Sequence, residues 1–317
     1  MGDDVRVGVL APLSLPGWAA AGRQLVAGAD VAAREVGIEL VVRDTRADPV
    51  AAVAAVDELV GLGVAALAGE YHSVVARAVA GRTAELGVPY LCSSAVIDEL
   101  VEEATDWVAR IAPVQSRGWR VFAEYLVSIG HERVAVVAQA SVYWAAGVRI
   151  LREHLREVVE VSVDSVCDEL VESGATALLL LVGTPEPAVP IVEAVRADGR
   201  LADVLIGAPA GQPEWAGLTG IPFLRYLPEE LSPLGARVRA ELGEDASFVA
   251  FEGYDAITVL AEFFRTNGSW STVAVEGSRG PITFERNQGI WQWRWPATQV
   301  AELDPVNPEQ FRILHTG

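Results

Sequence analysis

The chain of 317 residues is about half apolar and strongly acidic, with a formal net charge of −19 at pH 7. This charge argues against nucleic acid or anionic lipid as partners, because their phosphates would be repelled. All 24 basic residues are arginine, so no lysine is present for a Schiff base, a P-loop or a kinase site. No apolar run approaches the length of a membrane span, and membrane insertion is not expected.

Short apolar strands alternate with amphipathic helices along the first part of the chain. This alternation is typical of a parallel sheet that is covered by helices on both faces. It predicts strands at Val5 to Leu10, Ile38 to Val42, Val64 to Ala68 and Val88 to Cys92, and helices at Ala21 to Glu35, Val50 to Gly61, Val74 to Leu86 and, shorter and acidic, Asp98 to Glu103. A pause in the pattern at residues 112–116 predicts a first hinge.

The same order of elements returns in the second part of the chain. A helix is predicted at Gly118 to Ile129, and strands are predicted near Val134, Val158, Ala177, Val204 and Phe223. The repetition extends to the sequence, since residues 57–60 and 168–171 both read Asp-Glu-Leu-Val and both precede an apolar strand. Two α/β lobes of similar build are therefore predicted, and two such lobes leave a cleft between them.

The end of the chain has a different character. A long apolar helix at Phe248 to Phe264 suits packing back on the first lobe. Beyond it, Trp291, Trp293 and Trp295 alternate in a strand-like run, which places three indoles on one face. We interpret this run as the core of an edge hairpin, and a sugar-stacking platform is the alternative.

Residues that commonly carry catalysis are scarce. The four histidines, His72, His131, His154 and His315, are scattered, and none has a second histidine or a cysteine at metal-ligand spacing. Neither G-x-G-x-x-G after the first strand nor G-x-S-x-G is present. The sequence gives no reason to pair Cys92 with Cys167. We therefore expect no enzymatic activity, no metal and no cofactor.

Ligands of open parallel sheets bind beyond the carboxyl ends of the strands, where loops lead into helix amino termini. Four loops qualify here, and they contain Trp18, then Tyr71, His72 and Ser73, then Ser93 and Ser94, and finally Ser141, Tyr143 and Trp144. Ser73 occupies an expected N-cap position, so its hydroxyl and the amides after it can hold a carboxylate, or it can be a plain cap. His72 is interpreted as a loop residue rather than a base.

Taken together, these segments resemble the type I periplasmic binding proteins, in the branch that binds leucine, isoleucine and valine and includes amide- and urea-binding members. The resemblance covers nearly the whole chain. It is carried by residues 7–14 with Pro16 and Gly22, by residues 42–45 with Asp48-Pro49, by residues 69–73 and 87–90, and by residues 252–256.

The resemblance implies two Rossmann-like lobes with parallel sheets flanked by helices, joined by a hinge of three crossovers. The first lobe is predicted to comprise residues 1–116 and 230–284, and the second to comprise residues 117–229 and 285–317. The lobes are expected to close on a small molecule, either an amino acid or a related amide or carboxylate.

The resemblance also assigns site residues. Ser73 matches the serine that binds the ligand carboxylate, Ser94 a backbone contact, Trp18 an aromatic residue of the first loop, and Tyr143 a tyrosine that closes over the ligand. Thr184, in the second-lobe loop after the strand near Ala177, completes the predicted set together with Tyr71, His72, Ser93 and Val96.

Two positions depart from the family pattern. Val96 replaces a threonine that binds both the carboxylate and the ammonium, and the neutral Ala210 falls where an acidic residue should grip the ammonium. Glu70 and Glu186 are the nearby acids that would have to replace it, and by default both are expected to be exposed. Weak or absent binding of leucine, isoleucine and valine is therefore predicted.

Two functions remain open from the sequence. The first is a solute-binding protein that serves an ABC-type permease, and the second is an intracellular sensor of the same fold that relays occupancy to a regulatory protein. No secretory signal is visible in the chain, which is expected of a cytoplasmic protein or of an exported one whose signal was trimmed.

Overall fold

The structure is a computed structural model that describes residues 5–210, 218–243, 246–294, 298–307 and 311–317. The chain divides into two compact units. The first comprises Met1–Val114 and Leu227–Pro296, and the second comprises Gln115–Tyr226 and Ala297–Gly317. The chain therefore passes from one unit to the other three times, as the three-crossover prediction requires. None of the described helices is long and apolar enough to cross a membrane.

The first unit is built on an eight-stranded sheet in the order β11-β12-β13-β5-β4-β3-β1-β2. Strands β1 to β5 run parallel, while β11, β12 and β13 form antiparallel hairpins at one side. Its elements are β1 (Arg6–Ala11), α1 (Ala19–Val36), β2 (Glu39–Asp44), α2 (Pro49–Gly61), β3 (Ala66–Gly69), α3 (Ser73–Leu86), β4 (Tyr90–Cys92), β5 (Val108–Arg110), α8 (Pro233–Leu242), α9 (Phe248–Arg265), β11 (Ala274–Gly277), β12 (Gly280–Asn287) and β13 (Ile290–Trp293).

The second unit contains two smaller sheets. Four parallel strands have the order β7-β6-β8-β9, and three antiparallel strands have the order β10-β14-β15. The elements are α4 (Gln115–Ser128), β6 (Arg133–Ala138), α5 (Val142–His154), β7 (Glu157–Val161), α6 (Val166–Ser173), β8 (Ala177–Leu181), α7 (Ala188–Ala197), β9 (Leu205–Gly207), β10 (Phe223–Arg225), β14 (Gln299–Leu303) and β15 (Phe311–Thr316). Strand β8 is entirely buried, as its run of leucines predicts for a central strand.

The internal repeat of the sequence corresponds to a repeat of topology. In the first unit, β2-β1-β3-β4 are neighbours, and in the second unit β7-β6-β8-β9 have the same relative order. The two Asp-Glu-Leu-Val segments lie at equivalent places, in α2 before β3 and in α6 before β8. The prediction of an α/β fold with two lobes of similar build is confirmed.

Three details differ from the prediction. Residues 98–103 are not helical, and a short parallel strand, β5, follows them where no strand was predicted. Strand β13 pairs with both β12 and β5, so residues 285–294, predicted to belong to the second lobe, extend the sheet of the first unit. Within β13, Trp293 is buried and Trp291 is partly exposed, whereas Trp295 lies outside the described residues.

Helices α1 and α9 of the first unit pack at backbone contact. A Cβ atom added to Gly28 of α1 would lie 1.7 Å from the carbonyl oxygen of Ala250, and one added to Gly253 of α9 would lie 2.0 Å from that of Leu25. Glycine is therefore required at both positions, because only the lack of a side chain permits this approach. The contact anchors the returning helix α9 to the start of the chain.

We predict that Gly28→Ala lowers the free energy of unfolding by about 3 kcal/mol, because the helices must separate to admit the methyl group. Gly81→Ala is the matched control, since Gly81 is exposed in α3 and has nothing within 4 Å of its added Cβ. The control should gain roughly 0.5–1 kcal/mol through helix propensity. Denaturant unfolding of both variants is the measurement, and equal stabilities would contradict the close packing.

Candidate functional site

The loops predicted to bind a ligand converge at one edge of the first unit's sheet. Strands β2, β1, β3 and β4 are parallel neighbours, so their carboxyl ends lie side by side. The segments that follow them are residues 45–48, 12–18, 70–72 and 93–97. The strand order thus agrees with the sequence-based placement of seven predicted site residues at strand ends, namely Trp18, Tyr71, His72, Ser73, Ser93, Ser94 and Val96.

Gly69, at the end of β3, allows the loop to pass close to β1. Its φ angle is +119°, and an added Cβ would lie 2.0 Å from the carbonyl oxygen of Leu10. A residue with a side chain is strained at such a φ angle and would collide with β1. This tight passage turns Glu70, the next residue, into the interior of the unit, where it is fully buried.

The carboxyl group of Glu70 is satisfied by its own surroundings. Oε1 accepts hydrogen bonds from the backbone N–H groups of Tyr71 at 2.7 Å and His72 at 2.9 Å. Oε2 is 2.6 Å from the hydroxyl of Thr45. Burial raises the pKa of Glu70 to about 7, and the three hydrogen bonds offset only part of that rise. The expectation that Glu70 is exposed is wrong, because Gly69 directs the chain inward.

Asp44, at the end of β2, is the neighbouring acid. Burial acts to raise its pKa, but hydrogen bonds from Ser14, Leu13 and Arg46 outweigh burial and lower the pKa. Its Oδ1 atom accepts the backbone N–H groups of Leu13 and Arg46, each at 2.8 Å. Asp44 therefore stays ionised and holds the loop that precedes α1.

Helix α3 begins directly after Glu70, and its first turn differs from the prediction in one detail. His72 is the N-cap, with extended backbone angles, and Ser73 is the first helical residue. Ser73 is 8% exposed. The start of α3 therefore offers a donor and unpaired amides to a small acceptor.

Aromatic rings form a wall next to this helix start. The ring centroids of Trp18 and His72 are 4.7 Å apart in an edge-to-face arrangement, and those of Trp18 and Tyr71 are 6.0 Å apart. Trp18 precedes α1 directly and is only partly buried. Burial lowers the pKa of His72, and its Nδ1 atom is buried without a partner among the described residues. A neutral imidazole agrees with the interpretation of His72 as a loop residue.

The segment after β4 is almost entirely buried. Ser93 is fully buried, Ser94 is 4% exposed and Val96 is 7% exposed, and the two serine hydroxyls are 3.1 Å apart. Glu252 of α9 lies next to Ser94. Burial raises the pKa of Glu252 to about 7, while Arg279 and the hydroxyl of Ser94 act in the opposite direction. Val96 contributes no polar atom to this group.

A buried ion cluster supports Glu252. Arg279 bonds through Nε to Asp255 at 2.7 Å and through Nη1 to Glu252 at 3.1 Å, and the side chains of all three are fully buried. Asp255 also accepts hydrogen bonds from the backbone and hydroxyl of Ser278. Because Arg279 and Ser278 lie between β11 and β12, this cluster fixes the returning segment to α9. It is a structural network that the sequence alone did not indicate.

The second unit presents its own group of candidate residues. The N-cap of α5 is Ser141, whose hydroxyl accepts the N–H of Trp144 at 3.0 Å, as predicted for a strand-loop-helix connection. Tyr143 is partly buried and packs against Trp119 and Trp144, with ring centroids 5.9 and 4.7 Å away. Gln115 donates to the backbone oxygen of Tyr143 at 3.0 Å. Thr184 follows Gly183, whose N–H bonds to Gln139 at 2.8 Å.

The structure thus brings Trp18, Tyr71, His72 and Ser73 into one group and places Ser93, Ser94 and Val96 after the neighbouring strand. Thr45, Gln115 and Trp119 were not predicted. Thr45 was detectable, since it follows β2 at the same edge, whereas Gln115 and Trp119 lie in α4. Ala210 is buried, Glu186 is exposed, and Gly211 lies outside the described residues. Nowhere in the described ranges do three or more His, Cys, Asp or Glu side chains gather in a way that would hold a metal ion.

Comparison with known proteins identifies the family. Residues 4–276 match the model of a periplasmic binding protein family, and the chain belongs to this family. A search among curated proteins gave no significant match.

Several solved structures share the fold. One is the leucine-binding protein LivK of Thermotoga maritima, with a TM-score of 0.83 and 19% identity over 98% of both chains. Another is an ABC-transporter solute-binding protein of R. palustris in complex with 4-hydroxybenzoate, with a TM-score of 0.84 and 19% identity over 99% of this chain and 97% of that one. A third is LivJ of Streptococcus pneumoniae in complex with isoleucine, with a TM-score of 0.84 and 18% identity over 98% and 99%.

Proposed function

We propose that this protein is a non-enzymatic solute-binding protein that captures a small carboxylate and delivers it to an ABC-type importer. Membership of the periplasmic binding protein family supports the solute-binding role, and solved proteins of the same fold include ABC-transporter components. The observation that carries the ligand class is the position of Ser73, which is 8% exposed, as the first helical residue of α3. No specific observation favours the alternative of an intracellular sensor.

The start of α3 suits a carboxylate for two reasons. The first amides of a helix have no intrahelical acceptor, and the helix dipole gives this end a partial positive charge. Ser73 adds a hydroxyl at this helix end, and the residue is only 8% exposed. A carboxylate can accept from both the hydroxyl and the amides, which is why an anion is favoured over a neutral group here.

The surroundings suit an apolar or aromatic body rather than an ammonium. Trp18 and His72 present ring surfaces beside the helix start, and Val96 offers no polar atom. Three acids near these strand ends are already occupied. Glu70 is held by Thr45, Tyr71 and His72, Asp44 by Leu13, Arg46 and Ser14, and Asp48 by the N–H of Ala51. A ligand ammonium would therefore be desolvated without a dedicated carboxylate, which costs several kcal/mol.

The proposed ligand is accordingly a small carboxylic acid without an α-ammonium group, for which benzoates are a suitable chemical class. Among the solved proteins of this fold, one binds 4-hydroxybenzoate and another binds isoleucine, so the fold is compatible with both chemistries. The features of this chain that favour a benzoate over an amino acid are the occupied acids and Val96. Tyr143 and Thr184 of the second unit remain predicted ligand contacts.

A ligand panel tests the proposed function directly. The purified protein is heated with benzoate, 4-hydroxybenzoate, leucine or isoleucine, and hits are titrated by calorimetry. We expect the benzoates to raise the melting temperature, since a ligand at a hundredfold its Kd stabilises the folded state by about 2.7 kcal/mol. Leucine and isoleucine should have little effect. Tight leucine binding with rejection of the benzoates would contradict the ligand class, and no response to any carboxylate would contradict the proposed function.

Ser73→Ala tests the position of the site. Loss of a hydrogen bond to a charged group costs about 1.5–3 kcal/mol, so the Kd of the best carboxylate should rise by roughly tenfold to a hundredfold or more. Ser232→Ala is the matched control, because Ser232 caps α8 in the same unit through a 3.1 Å bond to the N–H of Gly235. The control should lose about 1 kcal/mol of stability and keep its affinity. Equal affinity of Ser73→Ala and wild type in calorimetry would remove Ser73 from the site.

A further inference from the structure

Glu70 has an environment that accepts both of its protonation states. Its Oε1 atom receives two backbone N–H groups, which it can accept whether the group is charged or neutral. Its Oε2 atom makes a single 2.6 Å contact with the hydroxyl of Thr45, and a hydroxyl can donate to a carboxylate or accept from a carboxylic acid. Among the residues that the structure describes, no basic side chain forms an ion pair with Glu70. A proton can therefore enter or leave at Oε2, with Thr45 changing from donor to acceptor in this hydrogen bond.

Apart from the three hydrogen-bond donors, the titratable groups around Glu70 do not stabilise its negative charge. Asp44, from the end of β2, is an anion and raises the pKa of Glu70 further. Burial keeps Tyr90 of β4 neutral by raising its pKa, and burial lowers the pKa of His72 at the start of α3. From α9, which packs against β3, Glu252 is already paired with Arg279. Burial then leaves Glu70 with a pKa of about 7, so both forms are populated near neutral pH.

We propose that Glu70 is a specificity-determining residue that makes anion binding depend on proton uptake: a ligand carboxylate at the start of α3 binds together with one proton from solvent, which is taken up by Oε2 of Glu70. This inference rests on the proposed function, because it requires an anion at Ser73. The ligand itself remains a carboxylate, and no covalent bond is made or broken apart from the O–H bond that forms on Glu70.

The physical basis is repulsion between two carboxylates at one helix end. Ionised Glu70 already accepts the N–H groups of Tyr71 and His72, which lead into α3, and its charge offsets the partial positive charge of the helix start. A second carboxylate at Ser73 would be close to it in a buried setting, where like charges raise each other's pKa. Protonation of Glu70 removes this repulsion, and the partial positive charge of the helix start then acts on the ligand carboxylate alone.

The coupling between protonation of Glu70 and binding of the ligand anion has a definite sign. Because the ligand anion favours protonated Glu70, it raises the pKa of Glu70, and by reciprocity a proton on Glu70 strengthens ligand binding. Affinity should be highest and constant at pH values below the pKa of free Glu70. It should fall as pH rises above about 7, by up to tenfold per pH unit when one proton is taken up.

Calorimetry with benzoate tests the proposal, because the carboxylate is the one titrating group of this probe. Titrations of wild type at about pH 6 and about pH 8, each in two buffers of different ionisation enthalpy, give the number of protons taken up. We expect net uptake that approaches one proton per benzoate at the higher pH, together with weaker binding. Glu70→Gln should bind benzoate with little pH dependence, since glutamine keeps the acceptor and can donate to Thr45. Glu103→Gln is the matched control for net charge, because Glu103 is exposed in the same unit, and it should behave as wild type.

The outcomes separate the two proposals. Benzoate binding without proton uptake in wild type, or with the same uptake in Glu70→Gln, overturns the role of Glu70 and leaves the proposed function intact. No binding of benzoate or 4-hydroxybenzoate at either pH overturns both. The wild-type measurement in two buffers decides the question even when Glu70→Gln does not fold.

Discussion

The site depends on one constraint, which is that the carboxyl group of Glu70 is buried beneath the start of α3 and satisfied there. Gly69 brings β3 so close to β1 that the next side chain turns inward, and Thr45, Tyr71 and His72 then supply its hydrogen bonds. Because this acid is held by the protein, it does not face a ligand as a free carboxylate. What remains at the helix start is a donor group, formed by the Ser73 hydroxyl and the first amides of α3, beside the rings of Trp18 and His72. The donor groups at the helix start thus give the site its preference for an anion, and protonation of the buried Glu70 adjusts that preference.

The sheet makes this arrangement possible. Parallel strands in the order β2-β1-β3-β4 place four loops at one edge, and the same order recurs in β7-β6-β8-β9 of the second unit. In the first unit, the returning helix α9 contacts the site through Glu252. This residue interacts with the hydroxyl of Ser94 and forms an ion pair with Arg279. The contact of α1 with α9 at Gly28 and Gly253 fixes the position of that helix. Residues far apart in the sequence therefore determine the shape of a site whose ligand-facing groups come from loops near the start of the chain.

Much of the fold and the position of the candidate site were predictable from the sequence. Strand and helix periodicity, the repeated Asp-Glu-Leu-Val segment and the loop positions are all local signals. The sequence placed Trp18, Tyr71, His72, Ser73, Ser93 and Ser94 at strand ends, and the parallel sheet necessarily brings such positions together. The direction of an individual side chain was not predictable. Glu70 was expected to be exposed, and only the close approach of β3 to β1 shows why it is buried. The short β5 and the pairing of β13 with it were missed for a related reason, since a three-residue strand has no periodicity and its partners are distant in sequence. The cluster of Arg279, Asp255 and Glu252 depends equally on long-range packing.

A crystal structure of the protein with bound 4-hydroxybenzoate would show directly which groups hold the ligand. We expect the ligand carboxylate to accept hydrogen bonds from the Ser73 hydroxyl and from the first amides of α3, with the ligand ring beside Trp18 and with Glu70 still bonded to Thr45. A carboxylate bound at an arginine, with Ser73 free of any ligand contact, would contradict this expectation.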